Sequence, residues 1–201
     1  MKSNEELVNY LIGRGVLKTP QIIQAFKSVD RKEFVLPVYR KYAYYDDALP
    51  HLAYQTIPQP STVAIMLELV QPSGICLDVG TGSGYVAALL AHLCEEVHTI
   101  EIFPELYQFA RERLKKYKNV KQYLGDGSKG IPGKKFDCIV VTAEAPEVPE
   151  PFKNQLKKGG RIVIPVRGSL VLGKRNKEFG EIMSIPGFVF VPLKGRYGYG
   201  V

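Results

Sequence analysis

The stretch that decides the fold is Leu77-Asp78-Val79-Gly80-Thr81-Gly82-Ser83-Gly84-Tyr85. It joins a short apolar run to a segment with helical spacing, which is typical of a strand, a glycine turn and a helix in succession. Glycines let the backbone turn sharply and approach a ligand closely, because they carry no Cβ. Glu101 ends the next apolar run, about 20 residues after the first glycine, where a carboxylate can accept ribose hydroxyls. The pattern predicts a site for a nucleotide-like ligand.

The glycine spacing and one acidic residue narrow the ligand class. Gly80, Gly82 and Gly84 are spaced Gly-x-Gly-x-Gly, whereas the dinucleotide fingerprint is Gly-x-Gly-x-x-Gly. Asp78 precedes the turn, and a carboxylate there suits a cationic ligand better than a pyrophosphate. S-adenosylmethionine carries both an ammonium and a sulfonium group. We therefore predict S-adenosyl-L-methionine as the cofactor, anchored by Asp78 and Glu101.

A second ligand signature, Leu124-Gly125-Asp126-Gly127-Ser128, follows the third apolar run. Ligands of a doubly wound sheet bind beyond the carboxyl ends of its strands, and Asp78, Glu101 and Asp126 fall at three such ends. Asp126 is placed to accept the amino group of an adenine, while Gly127 lets the ring approach. A plain Asp-Gly turn is the alternative, and the two companion carboxylates favour the ligand site.

Strands and helices alternate from residue 71 onward, which predicts an α/β fold. The alternation implies a doubly wound, mostly parallel, Rossmann-like sheet with helices on both faces. The tail has strand-like segments without helices between them, which predicts an antiparallel C-terminal edge. The predicted parallel strands are 75–79, 96–101, 120–123, 136–142 and 161–166, and those of the tail are 169–174, 181–184 and 188–193. The predicted helices are 4–13, 19–28, 60–70, 84–93, 104–117 and 149–156.

Composition predicts a soluble enzyme of a reducing compartment. The chain has 201 residues, of which 45% are hydrophobic and 23% charged, enough for a full core. The N-terminus lacks the apolar stretch of a signal peptide, and no apolar run approaches the roughly 20 residues that cross a bilayer. We expect a cytoplasmic protein without a membrane partner. Cys76, Cys94 and Cys138 have no paired spacing and predict buried thiols, and no residue pattern predicts a metal site.

The net charge of +7 does not by itself predict a nucleic-acid partner. Basic residues are spread along the chain, and the densest cluster, 111–118, alternates with Leu114 and Tyr117 at helical spacing. That spacing predicts the solvated face of an amphipathic helix. We expect a mild preference for anionic substrates and regard nucleic acid as an unlikely partner.

Over nearly its whole length the sequence resembles the protein-L-isoaspartate O-methyltransferases, a family of class I S-adenosylmethionine-dependent enzymes. The glycine turn is generic to methyltransferases, whereas Gln55-Thr56-Ile57 and the tail around Pro192 are more specific to this family. The segments that carry the resemblance are Arg31-Lys32-Glu33-Phe34-Val35, Tyr42-Ala43-Tyr44 with Asp47, Ala48-Leu49-Pro50, Gln55-Thr56-Ile57 with Gln59-Pro60, Asp78 to Tyr85, Gly125-Asp126-Gly127-Ser128, Val141-Thr142-Ala143, Ala145-Pro146-Glu147, Arg161-Ile162-Val163-Ile164-Pro165-Val166 and Phe190-Val191-Pro192-Leu193.

The resemblance implies methyl transfer to the α-carboxylate of L-isoaspartyl residues in damaged proteins and peptides. We expect one methyltransferase domain over 1–201, with a helical and substrate-loop segment (1–70), a cofactor-binding core (71–168) and C-terminal strands (169–201). The implied acceptor-binding residues are Gln55, Thr56, Ile57, Pro58, Thr142 and Ala143. The implied cofactor-binding residues are Pro58, Gln59, Pro60, Ser61, Asp78, Gly80, Thr81, Gly82, Gly84, Glu101, Ile102, Asp126 and Gly127.

Two residues depart from the family pattern on the acceptor side. The family's loop continues Thr-Ile-Ser with a serine regarded as part of the active site, whereas this chain has Pro58. Proline offers neither a hydroxyl nor a backbone N–H, so the sequence assigns no catalytic residue. Glu144 stands where a small residue is usual, and its carboxylate would repel an acceptor carboxylate if it pointed inward. We expect Glu144 to face solvent.

Three functions stay open on these residues. The first is an isoaspartyl repair methyltransferase that tolerates Pro58 by using Ser61 or backbone donors. The second is a methyltransferase of the same family with a changed acceptor, such as an ordinary aspartyl residue or a small carboxylate. The third is a cofactor-binding module without catalysis. We prefer the first, with isoaspartyl proteins or peptides as partners and the chain acting as a monomer.

Overall fold

The structure is a computed structural model that describes residues 1–200. Within that range the α-helices are α1 (Asn4–Gly13), α2 (Pro20–Ser28), α3 (Pro60–Val70), α4 (Tyr85–Ala91), α5 (Pro104–Leu114) and α6 (Glu150–Gln155). The strands are β1 (Leu49–Pro50), β2 (Thr56–Ile57), β3 (Ile75–Val79), β4 (Glu96–Glu101), β5 (Val120–Leu124), β6 (Phe136–Val141), β7 (Leu156–Val166), β8 (Ser169–Arg175) and β9 (Phe179–Pro186).

Seven of these strands form the central sheet, in the order β5-β4-β3-β6-β7-β8-β9. The strands from β5 to β7 pair in parallel, and β8 and β9 extend the sheet antiparallel. The chain runs outward from β3 through β4 to β5, then returns to place β6 on the other side of β3. This reversal is the topological switch point, where open α/β sheets bind ligands beyond their strand ends. The predicted doubly wound fold with an antiparallel C-terminal edge is confirmed.

Both faces of β3 and β6 are buried, which explains why their sequences are nearly continuous apolar runs, whereas β5 at the sheet edge is only partly buried. Alternate residues of β6 belong to different clusters: Cys138 and Val140 pack with helices α1 to α4, whereas Ile139 and Val141 pack with Phe152 of α6. The sheet therefore holds its strand ends rigidly between two hydrophobic layers.

A small hairpin of β1 and β2 lies outside the main sheet and precedes α3. Leu49 pairs with Ile57, and both side chains are buried with Val35 and Ala43 in a separate cluster. The hairpin tip is irregular, since Ala53 and Tyr54 have φ of 54° and 55°. This hairpin and the residue after it carry four of the predicted acceptor residues, Gln55, Thr56, Ile57 and Pro58, whereas Thr142 and Ala143 follow β6.

Two predicted elements differ from the structure. Strand β7 begins at Leu156 rather than at residue 161, because Leu156 pairs with Phe136 across a register shift in β6. The prediction of a strand over 188–193 was wrong. That segment makes only an isolated bridge from Pro192 to Glu144, and a proline has no N–H with which to continue a strand ladder.

The prediction of buried cysteines is confirmed, since all three are free and buried. In the basic cluster Leu114 is buried while Arg111 and Lys115 are exposed, but α5 ends at Leu114 rather than at the predicted residue 117. None of the helices within residues 1–200 is both long and apolar enough to cross a bilayer.

Candidate active site

The glycine turn between β3 and α4 is held against the ends of two neighbouring strands. Gly80, Gly82 and Gly84 have φ of 89°, 53° and 89°, a region in which other residues are strained. The N–H of Gly80 donates to the carbonyl of Ile100 at 3.0 Å. A Cβ on Gly80 would lie 3.1 Å from Oγ1 of Thr142. The turn therefore fits closely between the carboxyl ends of β4 and β6.

Glu101, the last residue of β4, fixes the turn and faces the cavity beside it. Its Oε2 accepts the N–H of Gly82 at 2.8 Å, and its Oε1 accepts the N–H groups of Ile102 and Phe103 at 2.8 and 3.0 Å. Burial raises the pKa of the Glu101 carboxyl, against the lowering effect of these three donors. A carboxylate offers about four acceptor positions, so about one remains for a ligand hydroxyl.

A cavity opens beside the glycine turn at the switch point, and we call it the first cavity. Its position beyond the strand ends is where open α/β sheets bind ligands. The predicted site residues in its wall are Gln55, Thr56, Gly80, Gly82, Glu101, Ile102, Gly127, Thr142 and Ala143. The remaining wall residues are Val79, Ile100, Phe103, Leu106, Val191, Pro192, Leu193 and Lys194.

A second cavity adjoins the first and is lined by Pro58, Gln59 and Ser61 from the predicted site. Its other walls come from Ala48, Thr62, Ile65 and residues 187–190. Thr56, Thr142 and Val191 line both cavities. The two cavities therefore share these three residues as walls.

The C-terminal wall was missed by the sequence prediction. Val191 accepts the N–H of Glu144 at 2.8 Å, and the N–H of Leu193 donates to the carbonyl of Glu144 at 2.7 Å. These bonds place residues 191–194 across the first cavity. The motif around Pro192 was the signal from which this wall could have been predicted. We interpreted that motif as an edge strand rather than as part of the site.

Asp78 does not line either cavity. Its carboxylate is fully buried, where Oδ2 accepts the hydroxyl of Thr99 at 2.7 Å. Thr99 also bonds the hydroxyl of Thr81 at 2.6 Å, so Asp78 and Thr81 belong to one network beneath the glycine turn. Burial, the largest cause, raises the pKa of Asp78 to about 7. Direct contacts of Asp78 and Thr81 with the cofactor stay predictions.

Asp126 also lies outside the cavity walls and is turned to the C-terminal segment. Its carboxylate accepts the hydroxyl of Ser128 at 2.6 Å and the N–H of Arg196 at 3.0 Å, and pairs with Lys129 at 3.2 Å. Those donors hold its pKa below the ordinary value, although burial acts in the opposite direction. The contact with an adenine stays a prediction.

Three further predicted residues lie behind the walls. Ile57 is buried in the hairpin cluster, Pro60 is buried in the first turn of α3, and Gly84 packs against Leu114. Ile57 and Pro60 each adjoin a wall residue in the chain, whereas neither chain neighbour of Gly84 lines a cavity. Direct ligand contacts of these three residues stay predictions.

Glu144 turns its carboxylate away from both cavities. It accepts the N–H of Gly168 at 2.9 Å and the hydroxyl of Tyr199 at 3.4 Å. The side chain is half-buried rather than fully solvent-facing. It therefore brings no negative charge against a ligand in the second cavity.

Comparisons with known proteins agree with this geometry. The family model described as Protein-L-isoaspartate(D-aspartate) O-methyltransferase matches residues 2–198. The Protein-L-isoaspartate O-methyltransferase of Pyrococcus horikoshii is 44% identical over 205 residues, which cover 96% of this chain and 93% of that protein. The chain belongs to the protein-L-isoaspartate O-methyltransferase family. The resemblance seen in the sequence is confirmed, and the members of this family are enzymes.

Two solved structures that carry the family name share the fold. One is 28% identical with a TM-score of 0.80, and the match covers 94% of this chain and 65% of that one. The other, from Plasmodium falciparum in complex with S-adenosyl-L-homocysteine, is 22% identical with a TM-score of 0.84. That match covers 96% of this chain and 99% of the other.

Pro58 lines the second cavity. Its carbonyl accepts a bond from Arg31 at 3.2 Å. A proline has no N–H, so Pro58 presents no hydrogen-bond donor to the cavity. Any donor for an anionic ligand there must come from its neighbours.

Proposed function

We propose that the chain transfers the methyl group of S-adenosyl-L-methionine to the α-carboxylate of L-isoaspartyl residues in damaged proteins and peptides. The observation that carries the proposal is the junction of the two cavities at Thr56, Thr142 and Val191. A methyl donor in the first cavity and a carboxylate in the second would face each other there. Membership of the protein-L-isoaspartate O-methyltransferase family supports this pair of ligands.

The first cavity fits S-adenosylmethionine on three observations. Glu101 keeps about one acceptor position, suited to a ribose hydroxyl. Ile102, Phe103 and Leu106 give an apolar wall on which an adenine ring can pack. Gly82, whose positive φ favours glycine, presents no side chain to the wall beside Glu101. When bound, the cofactor supplies an electrophilic methyl group on a sulfonium.

The chain's own residues then have to hold and align the acceptor. The acceptor's carboxyl group, with a pKa of about 4, is ionised at neutral pH, so no residue is needed to remove a proton. Ser61 donates its N–H to Asp46 at 2.8 Å, which leaves its hydroxyl as the donor for a ligand. Together with the hydroxyls of Thr56 and Thr62, it would hold the acceptor carboxylate. The apolar walls exclude water while the reacting atoms come within about 3 Å.

Pro58 favours one second candidate, a member of the same family with a changed acceptor. The ring removes a hydroxyl and an N–H from the acceptor wall and replaces them with apolar surface. An ordinary aspartyl residue or a small carboxylate would then be the substrate, while the cofactor site stays the same.

Isoaspartyl proteins or peptides are the partners that this function requires. We further expect the chain to act as a monomer in the cytoplasm, without a nucleic-acid or membrane partner. Light scattering coupled to gel filtration, with and without an isoaspartyl peptide, tests whether the chain is a monomer.

A labelled-methyl assay on matched peptides tests the proposed function. One peptide contains L-isoaspartate, and its control contains L-aspartate at the same position. We expect label on the isoaspartyl peptide alone, released as methanol by mild base because an ester is formed. Label on the aspartyl control would support the changed acceptor. Cofactor binding by calorimetry without transfer to either peptide would favour a binding module.

A further inference from the structure

Arg31 is a buried cation outside both cavities, and it gathers the loop that forms the acceptor wall. Its side chain has no solvent exposure. Nη1 donates to the carbonyls of Ala43 at 2.9 Å and Tyr45 at 3.3 Å. Nη2 donates to the carbonyls of Asp47 at 2.9 Å and Pro58 at 3.2 Å. One guanidinium thus binds both ends of the 43–58 segment.

Burial of this charge costs free energy, which the hydrogen bonds of the guanidinium must offset. Desolvation lowers the pKa of Arg31 to about 10, and the negative charges of Asp46 and Asp47 act in the opposite direction. The group therefore stays protonated at neutral pH. Its Nε has no partner within residues 1–200. A buried charge persists where its donors hold a specific backbone arrangement.

The segments that Arg31 holds lead directly to the second cavity. Ala48 follows Asp47 in the chain, and Pro58 itself lines the cavity. Asp46, between two of the bonded carbonyls, accepts the N–H of Ser61 at 2.8 Å. Residues 43–47, Pro58 and the start of α3 are thereby joined into one unit behind the cavity.

We propose that Arg31 is a positioning residue for the acceptor. It sets the distance between Ala48, Pro58 and Ser61 by binding the backbone on both sides of the hairpin, without touching substrate. This role rests on the proposed function for its kinetic consequence, but its structural consequence is independent. The backbone carbonyl that Arg31 binds at Pro58 is present in a proline as well as in a serine, so this contact does not depend on the side chain there.

The test compares Arg31→Lys with a matched control variant, Arg175→Lys. Lysine keeps the charge but lacks the planar fork that reaches four carbonyls. Arg175 also donates to three carbonyls, those of Lys153, Asn154 and Leu156, but it lines neither cavity. We expect Arg31→Lys to raise the KM for an isoaspartyl peptide about tenfold through misplacement of the wall. The Kd of S-adenosylhomocysteine should change less than twofold, and Arg175→Lys should leave both constants unchanged.

A KM unchanged in Arg31→Lys, or a KM and a Kd that rise in the same proportion, would overturn the proposal. If Arg31→Lys does not fold, Asp46→Ala keeps the guanidinium and its four carbonyl partners. It removes the bond to Ser61 and one of the negative charges near Arg31, and it should raise the KM in the same way. If the wild-type protein methylates no isoaspartyl peptide, the proposed function fails separately. Hydrogen exchange then decides: Arg31→Lys must speed exchange in residues 43–62 and leave residues 78–102 unchanged.

Discussion

Asp78→Asn is expected to make the stability of the protein less dependent on pH. The Asp78 carboxyl has no solvent exposure, and only one of its oxygens has a hydrogen-bond partner within residues 1–200. Burial raises its pKa from 3.8 to about 7. In the unfolded chain the proton leaves near pH 4, but the folded protein keeps it until about pH 7. The folded state therefore binds more protons in this window, and stability falls as pH rises through it.

The size of the effect follows from the two pKa values. One pKa unit corresponds to about 1.4 kcal/mol, so the full shift is worth roughly 4 kcal/mol. Between pH 5 and pH 8 the linkage relation gives a loss of about 2–3 kcal/mol from Asp78. Asparagine can still accept the hydroxyl of Thr99 but does not titrate.

Urea unfolding of both proteins at pH 5 and pH 8 measures this loss. Other groups, including Glu101 with its raised pKa, contribute to both proteins, so the difference between the two isolates Asp78. From pH 5 to pH 8 the free energy of unfolding of wild type should fall by about 2–3 kcal/mol more than that of Asp78→Asn. A stability difference that is the same at both pH values would refute the reasoning.

Three further predictions concern ligands. Glu101→Gln turns one acceptor into a donor that faces a backbone N–H. It should weaken the binding of S-adenosylmethionine and of S-adenosylhomocysteine equally, by about 1–3 kcal/mol in calorimetry. Unequal losses would contradict the assignment of Glu101 to the ribose. Pro58→Ser should raise kcat/KM for an isoaspartyl peptide about tenfold, because a hydrogen bond to a carboxylate is worth roughly 1.5–3 kcal/mol and loss of proline costs only about 0.4–1 kcal/mol of stability. A folded, cofactor-binding Pro58→Ser protein without this gain would favour a changed acceptor. Activity should survive dialysis against a chelator, since transfer from a sulfonium needs no Lewis acid; activity lost there and restored by one divalent ion would contradict this.

The order of elements could be predicted because the parallel strands are short, buried and bounded by turns. Strands β3 and β4 were placed correctly to the residue for this reason. The start of β7 could not be predicted, since Lys157-Lys158-Gly159-Gly160 has poor strand propensity and the pairs with β6 are made by the flanking residues Leu156 and Arg161. The segment around Pro192 was apolar enough to predict a strand. In the structure it makes only an isolated bridge to Glu144, a residue distant in sequence.

The candidate site could be predicted by segment more reliably than by side chain. Glu101 and the glycines lie where the motif indicates, because the turn fixes their backbone. Asp78 and Asp126 follow the same kind of strand end, yet their carboxylates accept the hydroxyl of Thr99 and the N–H of Arg196 instead of facing the first cavity. These donors lie 21 and 70 residues away in the chain, and no spacing rule contains that information.

The fate of an isoaspartyl peptide tests the central claim most directly. A peptide with one L-isoaspartyl residue is incubated with the enzyme and S-adenosylmethionine, and its products are followed by liquid chromatography and mass spectrometry. Methylation at the α-carboxylate predicts an ester that closes to a succinimide and then hydrolyses partly to the normal aspartyl peptide. A stable methyl ester on another carboxylate, with no succinimide and no aspartyl product, would contradict the account.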